Sequence, residues 1–391
     1  TIYAMAVYHR VGQIPPKRHT QFRRPDGELY SEELVSTEGF SAVYSLIYHT
    51  HPPTLVKDIG TPYSVAPKAA VAKNLKALSF RTFEVSPKDD YLESRTILLF
   101  NNDLQVGVAA PTGKAAMDYF YKNADADELL FIHEGSGTVH TIYGDLPFEY
   151  GDYIVLPRGT IYQISFNGEK NRLLVTESFS PIRFPKRYQN DQGQLMEHAP
   201  FCERDIRTPQ DLKTHDVQGD FKVLIKKQNL IYPYTYATHP FDAIGWDGYH
   251  YPYIFSIHNF EPITGRVHQP PPVHQTFSGA GFVVCSFCPR KYDYHKDAIP
   301  APYNHSNIDS DEILYYVDGD FMSRNNIERG QITLHPGGIP HGPHPGAAER
   351  SIGVEDTEEL AVMIDPYRPF QITEQAFAIE DPDYYLSWLG H

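Results

Sequence analysis

The sequence predicts an all-β-dominated protein in which one sheet module occurs twice, with a few helices between the strands. Two observations carry this. The first is composition: 28 tyrosines, 22 phenylalanines and 32 prolines among 391 residues, 41% of them hydrophobic, describe a folded chain rich in strand formers and turns. The second is an internal repeat. Glu128-x6-Gly135 and Gly151-x5-Pro157-x-Gly159-x2-Tyr162 return as Glu312-x6-Gly319 and Gly330-x5-Pro336-x-Gly338-x2-His341, displaced by 184 residues in the first motif and 179 in the second. Repetition of a whole strand-and-turn pattern implies repetition of a whole sheet unit. A chain of this length can bury two cores, and we divide it into residues 1–258 and 259–391.

In chain order, residues 1–115 are strand-like runs such as GFSAVYSLIYH and RTILLFNNDLQVGVAA, separated by the turn-rich YHTHPPT and APTGK. His49 and His51 have no carboxylate nearby at ligand spacing and read as turn or packing histidines. Residues 116–180 hold the first copy of the module. Residues 181–260 begin with polar, helix-compatible stretches such as RTPQDLKTHDVQGD and continue into HPFDAIGWDGYHYPYIFSIHNF, a segment expected to link the two copies and pack across both. The terminal DPDYYLSWLGH is an apolar strand or helix. Cys285 and Cys288 lie in the apolar run GFVVCSFC and read as strand residues; with Cys202 they are too few for a disulfide framework.

The chemistry sits in the second copy. In a strand, His305 and Asn307 share a face. Glycines at 319, 330 and 338 then turn the chain so that a second hairpin brings His341 back over the first. These paired spacings are similar to those of the cupin superfamily, so each module resembles a double-stranded β-helix, or jelly roll, and the whole chain resembles a bicupin. The second histidine of that pattern is Asn307 here. What is left is His305, Glu312 and His341, a set that looks like a facial triad holding one face of an iron(II) ion. In the first copy Tyr121, Asn123 and Tyr162 occupy the corresponding places beside Glu128. One carboxylate and two phenols hold divalent iron poorly, so the first roll is expected to be metal-free and structural.

The formal charge of −15 argues against nucleic acid or an anionic membrane as partner, since neither polyanion is drawn to such a field. No run reaches the roughly 18 apolar residues of a membrane span, and the start of the sequence lacks a signal-peptide core. A cytoplasmic location is the expectation.

FDAIGWDGYHYPY, then RVHQPPP, PYNHSNIDSDE and LHPGGIPHGP occur in the order seen in homogentisate 1,2-dioxygenases, and the chain resembles that family. The resemblance implies a small aromatic substrate and O2, with iron(II)-dependent opening of homogentisate to maleylacetoacetate in tyrosine and phenylalanine breakdown. It places the three iron ligands on His305, Glu312 and His341 and the general base on His268, with His274 as the competing residue. It also implies a homo-oligomer, a trimer or hexamer. His274, His335 and His341 are expected to meet the substrate with Phe321; His335 and His344 are placed to orient it, to support the ligands, or to lie solvated in their turn-rich loop. The family's substrate-contacting tyrosine is Phe321 here, so the pocket lacks one phenolic hydroxyl and the substrate is where a departure is expected. Alternatives are a ring-cleaving dioxygenase of a related hydroquinone acid such as gentisate, a cupin-type decarboxylase or isomerase, and a non-catalytic metal-binding bicupin. The second needs a full four-ligand set, which is missing.

Overall fold

A computed structural model describes residues 7–321 and 326–389, and in it the repeat is visible strand by strand. In the first unit Asp127–Glu134 lies between Asp152–Leu156 and Arg172–Ser178, with Leu104–Ala109 and Arg95–Phe100 beyond. In the second, Glu312–Asp318 lies between Gln331–His335 and Leu360–Pro366, with Phe282–Phe287 and Gln275–Gly279 beyond. The registers agree residue for residue. Glu128 faces Leu156 and Phe131 faces Tyr153; Glu312 faces His335 and Tyr315 faces Ile332. Even the bulges recur, between Ile97 and Leu99 in one unit and between Gln275 and Phe277 in the other.

Strand alternation sorts the side chains between two environments. Leu129 and Phe131 from one unit, and Ile313, Tyr315 and Val317 from the other, belong to a single core between the two sheets. There Phe131 meets Tyr315 at 6.4 Å and Tyr153 meets Phe277 at 5.3 Å. Burying a ring such as that of Phe131 contributes about 2 to 3 kcal/mol. The alternate residues Leu130 and Ile132 fill the first roll together with Tyr121 and Tyr162. Their counterparts Leu314 and Tyr316 line the second roll, which is open.

The first roll is closed by a facing sheet in which Gly137–Thr141 lies between Gly144–Phe148 and Ile161–Phe166, continuing through Phe120–Asn123 to Gln218–Lys227 and Leu230–Thr238. Tyr121 pairs with Tyr162 there. In the second roll the corresponding pairing, among the described residues, is the bridge between His305 and His341. The units also exchange edges. Leu78–Arg81 completes the second unit's sheet by pairing with Gln331–His335, and Gln371–Ile372 extends the first unit's sheet beside Arg95–Phe100.

A further sheet, His9–Gly12, Ala243–Gly248, Tyr44–His49 and Ser31–Ser36, flanks the first unit. His49 is more than a packing residue: its ring bonds Asp242 and Glu33, each at 2.7 Å. Burial alone would depress its pKa, but these two carboxylates raise it to about 9. His51 pairs in the same way with Asp216 at 2.5 Å. The helix-compatible stretch 207–220 forms no helix. Pro209 lacks an amide proton, Arg207 is held by the Asp152 carboxylate, and the His215 amide donates to Phe241 O at 2.8 Å. The stretch then runs into the strand Gln218–Lys227. Among the described residues the α-helices are two short ones, Ala347–Ser351 and Glu374–Phe377, and no helix is long and apolar enough to cross a membrane. The apolar end becomes the 3-10 turn Tyr384–Trp388.

Candidate metal centre

The backbone brings the two histidines together before any side chain is considered. His305 N donates to His341 O and His341 N to His305 O, both at 2.8 Å. Two neighbouring bonds, Gly338 N to Asn307 O at 2.6 Å and Gly330 N to Tyr316 O at 2.7 Å, hold the turns on either side. Gly330 has φ +80°, and a Cβ there would lie 2.3 Å from the Phe83 ring, so only glycine fits.

Each imidazole is then pinned by the carbonyl two residues earlier. His305 Nδ1 faces Tyr303 O and His341 Nδ1 faces Ile339 O, each at 3.1 Å. A carbonyl only accepts, so Nδ1 carries the proton of the neutral ring and Nε2 keeps its lone pair. Both Nε2 atoms point at Glu312 Oε2, from 3.2 Å for His305 and 3.3 Å for His341. The three donor atoms all lie within 4.8 Å of one another. Donors bound to one transition-metal ion at 2.0–2.2 Å and at right angles are about 3 Å apart, so the set fits such an ion. Without a cation, three electron-rich atoms converge. Burial would raise the Glu312 pKa, but hydrogen bonds from His305, His335 and His341 hold it well below the usual carboxylate range when those rings turn N–H groups to it; where the two facing rings keep their lone pairs, a bound cation would do the same.

The centre opens onto a cavity of about 600 Å³ whose wall includes His305, Glu312 and Asn307. His268, His274 and Phe321 lie on the same wall. His268 is half-exposed; its Nδ1 faces Asp293 Oδ2 at 3.2 Å, and its ring meets Tyr303 at 5.0 Å. His274 is buried against Phe287 at 4.6 Å, and burial, then the nearby Arg290 charge, push its pKa down to about 3. Phe321 packs edge-on against Tyr316 at 4.5 Å. The structure does not bring His335 and His344 to the cavity wall. His335 sits opposite Glu312 in the sheet, and Tyr384 and Trp388 cover it. His344 packs on the Trp388 ring at 4.3 Å. His341 faces Glu312 and His305 and is likewise not part of the wall.

Sequence reasoning missed Asp365. It lines the cavity, and its Oδ1 is buried with no hydrogen-bond partner among the described residues. The missing signal was a third stretch of the repeat: Met363 faces Leu314 as Val175 faces Leu130, which sets Asp365 where Glu177 stands.

Comparison with known proteins adds a lineage to this geometry. Residues 25–257 match the family described as homogentisate 1,2-dioxygenase N-terminal. A Saccharolobus solfataricus protein named "Putative dioxygenase SSO1533" is 40% identical over 98% of this chain and 99% of its own. Homogentisate 1,2-dioxygenase of Bradyrhizobium diazoefficiens is 24% identical over 73% of this chain and 67% of that enzyme, and that of Rhizobium etli 24% over 70% and 63%. Among solved structures, a cupin 2 conserved barrel domain protein from Leptotrichia buccalis aligns over 81% of this chain and all of its own, with 10% identity and a TM-score of 0.31.

Proposed function

We infer the function from one premise: the chain belongs to the homogentisate 1,2-dioxygenase family. Our reading is a non-haem iron(II) dioxygenase that opens the ring of homogentisate with O2 to give maleylacetoacetate. The observation that carries it is the convergence of two lone-pair-bearing imidazole nitrogens and one ionised carboxylate at the edge of a cavity large enough for a small aromatic acid. When bound there, iron(II) supplies a redox-active Lewis acid for the phenol and dioxygen. Residues 259–391 carry the chemistry in this proposal, and 1–258 support it.

The remaining work falls to the chain's own side chains. His268 takes the proton from the substrate hydroxyl. Its Nδ1 faces a carboxylate, which only accepts, so Nε2 is the basic nitrogen. His274, with a pKa near 3, has too little proton affinity for that task and serves as wall. Pro270, Phe287 and Phe321 on the same wall keep water from the ring.

The apolar Phe321 favours a second reading, turnover of a related hydroquinone acid such as gentisate in preference to homogentisate. Oxygen uptake by the iron(II)-loaded chain on homogentisate, gentisate and unsubstituted hydroquinone separates the readings. We expect uptake with homogentisate. Uptake with gentisate alone moves the substrate, and a metal-loaded chain that consumes no oxygen on any of the three is a binding protein. Family membership also underlies the proposed trimer or hexamer, which light scattering measures.

A further inference from the structure

We propose that Tyr384, acting through His335, is a positioning residue that makes Glu312 present a single oxygen to the metal. The inference rests on the metal-centre reading above and on a chain of contacts behind it. Tyr384 Oη lies 3.2 Å from His335 Nε2, and His335 Nδ1 lies 3.4 Å from Glu312 Oε1, within ion-pair range but not in hydrogen-bonding geometry. Glu312 Oε2, the other oxygen, is the one that both ligand histidines face. All three members are buried. The His335 ring cannot swing away, because it stacks on His341 at 4.8 Å and 9° and meets the Trp388 ring at 5.7 Å.

Proton direction follows from what each atom can do. A neutral imidazole has one N–H. If it sat on Nε2, Nδ1 would aim a lone pair at a carboxylate oxygen. If the Tyr384 hydroxyl donates to Nε2, the proton sits on Nδ1, on the side of the ring that faces Glu312 Oε1. Tyr384 therefore selects the tautomer in which His335 turns its N–H toward the carboxylate, as partners behind metal ligands do. With Oε1 facing that N–H, Glu312 would hold a metal through Oε2.

Tyr384→Phe tests this without any substrate. With cobalt(II) as the probe metal, competition against a chelator should show the dissociation constant rising about 10- to 100-fold, the usual effect of losing such a partner. The visible spectrum should change as Glu312 takes a second coordination position. His335→Asn keeps a donor toward Oε1 that needs no phenol, so in that background Tyr384→Phe should change neither constant nor spectrum. If Tyr384 only packs the C-terminal turn, the two substitutions add. An unchanged constant and spectrum in the single variant, or simple additivity in the double, overturns the proposal. A wild-type chain that binds no cobalt overturns the metal reading too, whereas normal cobalt binding without oxygen uptake overturns only the dioxygenase.

Discussion

Glu128 and Glu312 stand at the same point of two copies of one sheet, and they are neutralised in different ways. Glu128 accepts from Tyr162 Oη and from Arg95, each at 2.6 Å. Its neighbour Glu177 is met by Arg95 at 3.3 Å, Lys226 at 2.7 Å and Asn123 at 2.5 Å. In the second copy the phenols of Tyr121 and Tyr162 give way to the imidazoles of His305 and His341. Glu177 gives way to Asp365. Val273, two residues before the paired Gln275 as Arg95 is two before Ile97, stands in place of the guanidinium. A buried carboxylate needs a positive partner. One roll carries that partner covalently and fills its interior; in the proposed reading the other takes an exchangeable cation and keeps a cavity beside it. Asp365 shows what the missing guanidinium means: burial, then the Glu312 charge, hold its pKa well above the ordinary carboxylate range.

The comparison breaks first at His341. His341→Ala should take metal content from one ion per chain to none and abolish oxygen uptake, and an unchanged metal content by elemental analysis would falsify the ligand assignment. The mirror experiment is Arg95→Met. It leaves Glu128 and Glu177 buried without their main counter-charge and should cost about 3–5 kcal/mol in urea unfolding, with metal content per folded chain unchanged. A loss below about 1 kcal/mol would mean the first roll does not need its built-in cation. Next is His268→Phe, which should retain metal while turnover falls by ~10²-fold; should His274→Phe cause that loss instead, the two roles are exchanged. The smallest effect is expected from Phe321→Tyr. A single restored hydroxyl should move the ratio of kcat/KM for homogentisate over gentisate by about 10-fold or less, and a ratio that stays fixed removes Phe321 from substrate selection.

The repeat was legible because its glycines, prolines and glutamates mark turns and strand starts that the fold cannot shift, and the registers of Glu128 and Glu312 follow from it. The convergence of His305, Glu312 and His341 was legible for the same reason. Contacts across long stretches of chain were not. Nothing local to His49 announces Asp242, 193 residues away. The helix-like polarity of residues 207–220 says nothing of the neighbours that occupy its backbone. For His335 the sequence leaves open whether it meets substrate or supports the ligands, and only the Tyr384 and Trp388 rings laid over it take it away from the cavity.

The exchange of edge strands bears on how the chain is made. Thr82 and Gly330, at the end of the pairing that completes the second sheet, are 248 residues apart, and Thr373 and Ile97, at the reciprocal one, are 276 apart. Contacts of such separation close late. At a synthesis rate of roughly 5–20 residues per second, the edge at Leu78–Arg81 waits on the order of tens of seconds for its partner to leave the ribosome. An unpaired strand edge is a template for association with other chains during that interval. Cutting the gene between the two rolls would strand one edge in each half, so the halves should be soluble together and aggregate when expressed apart.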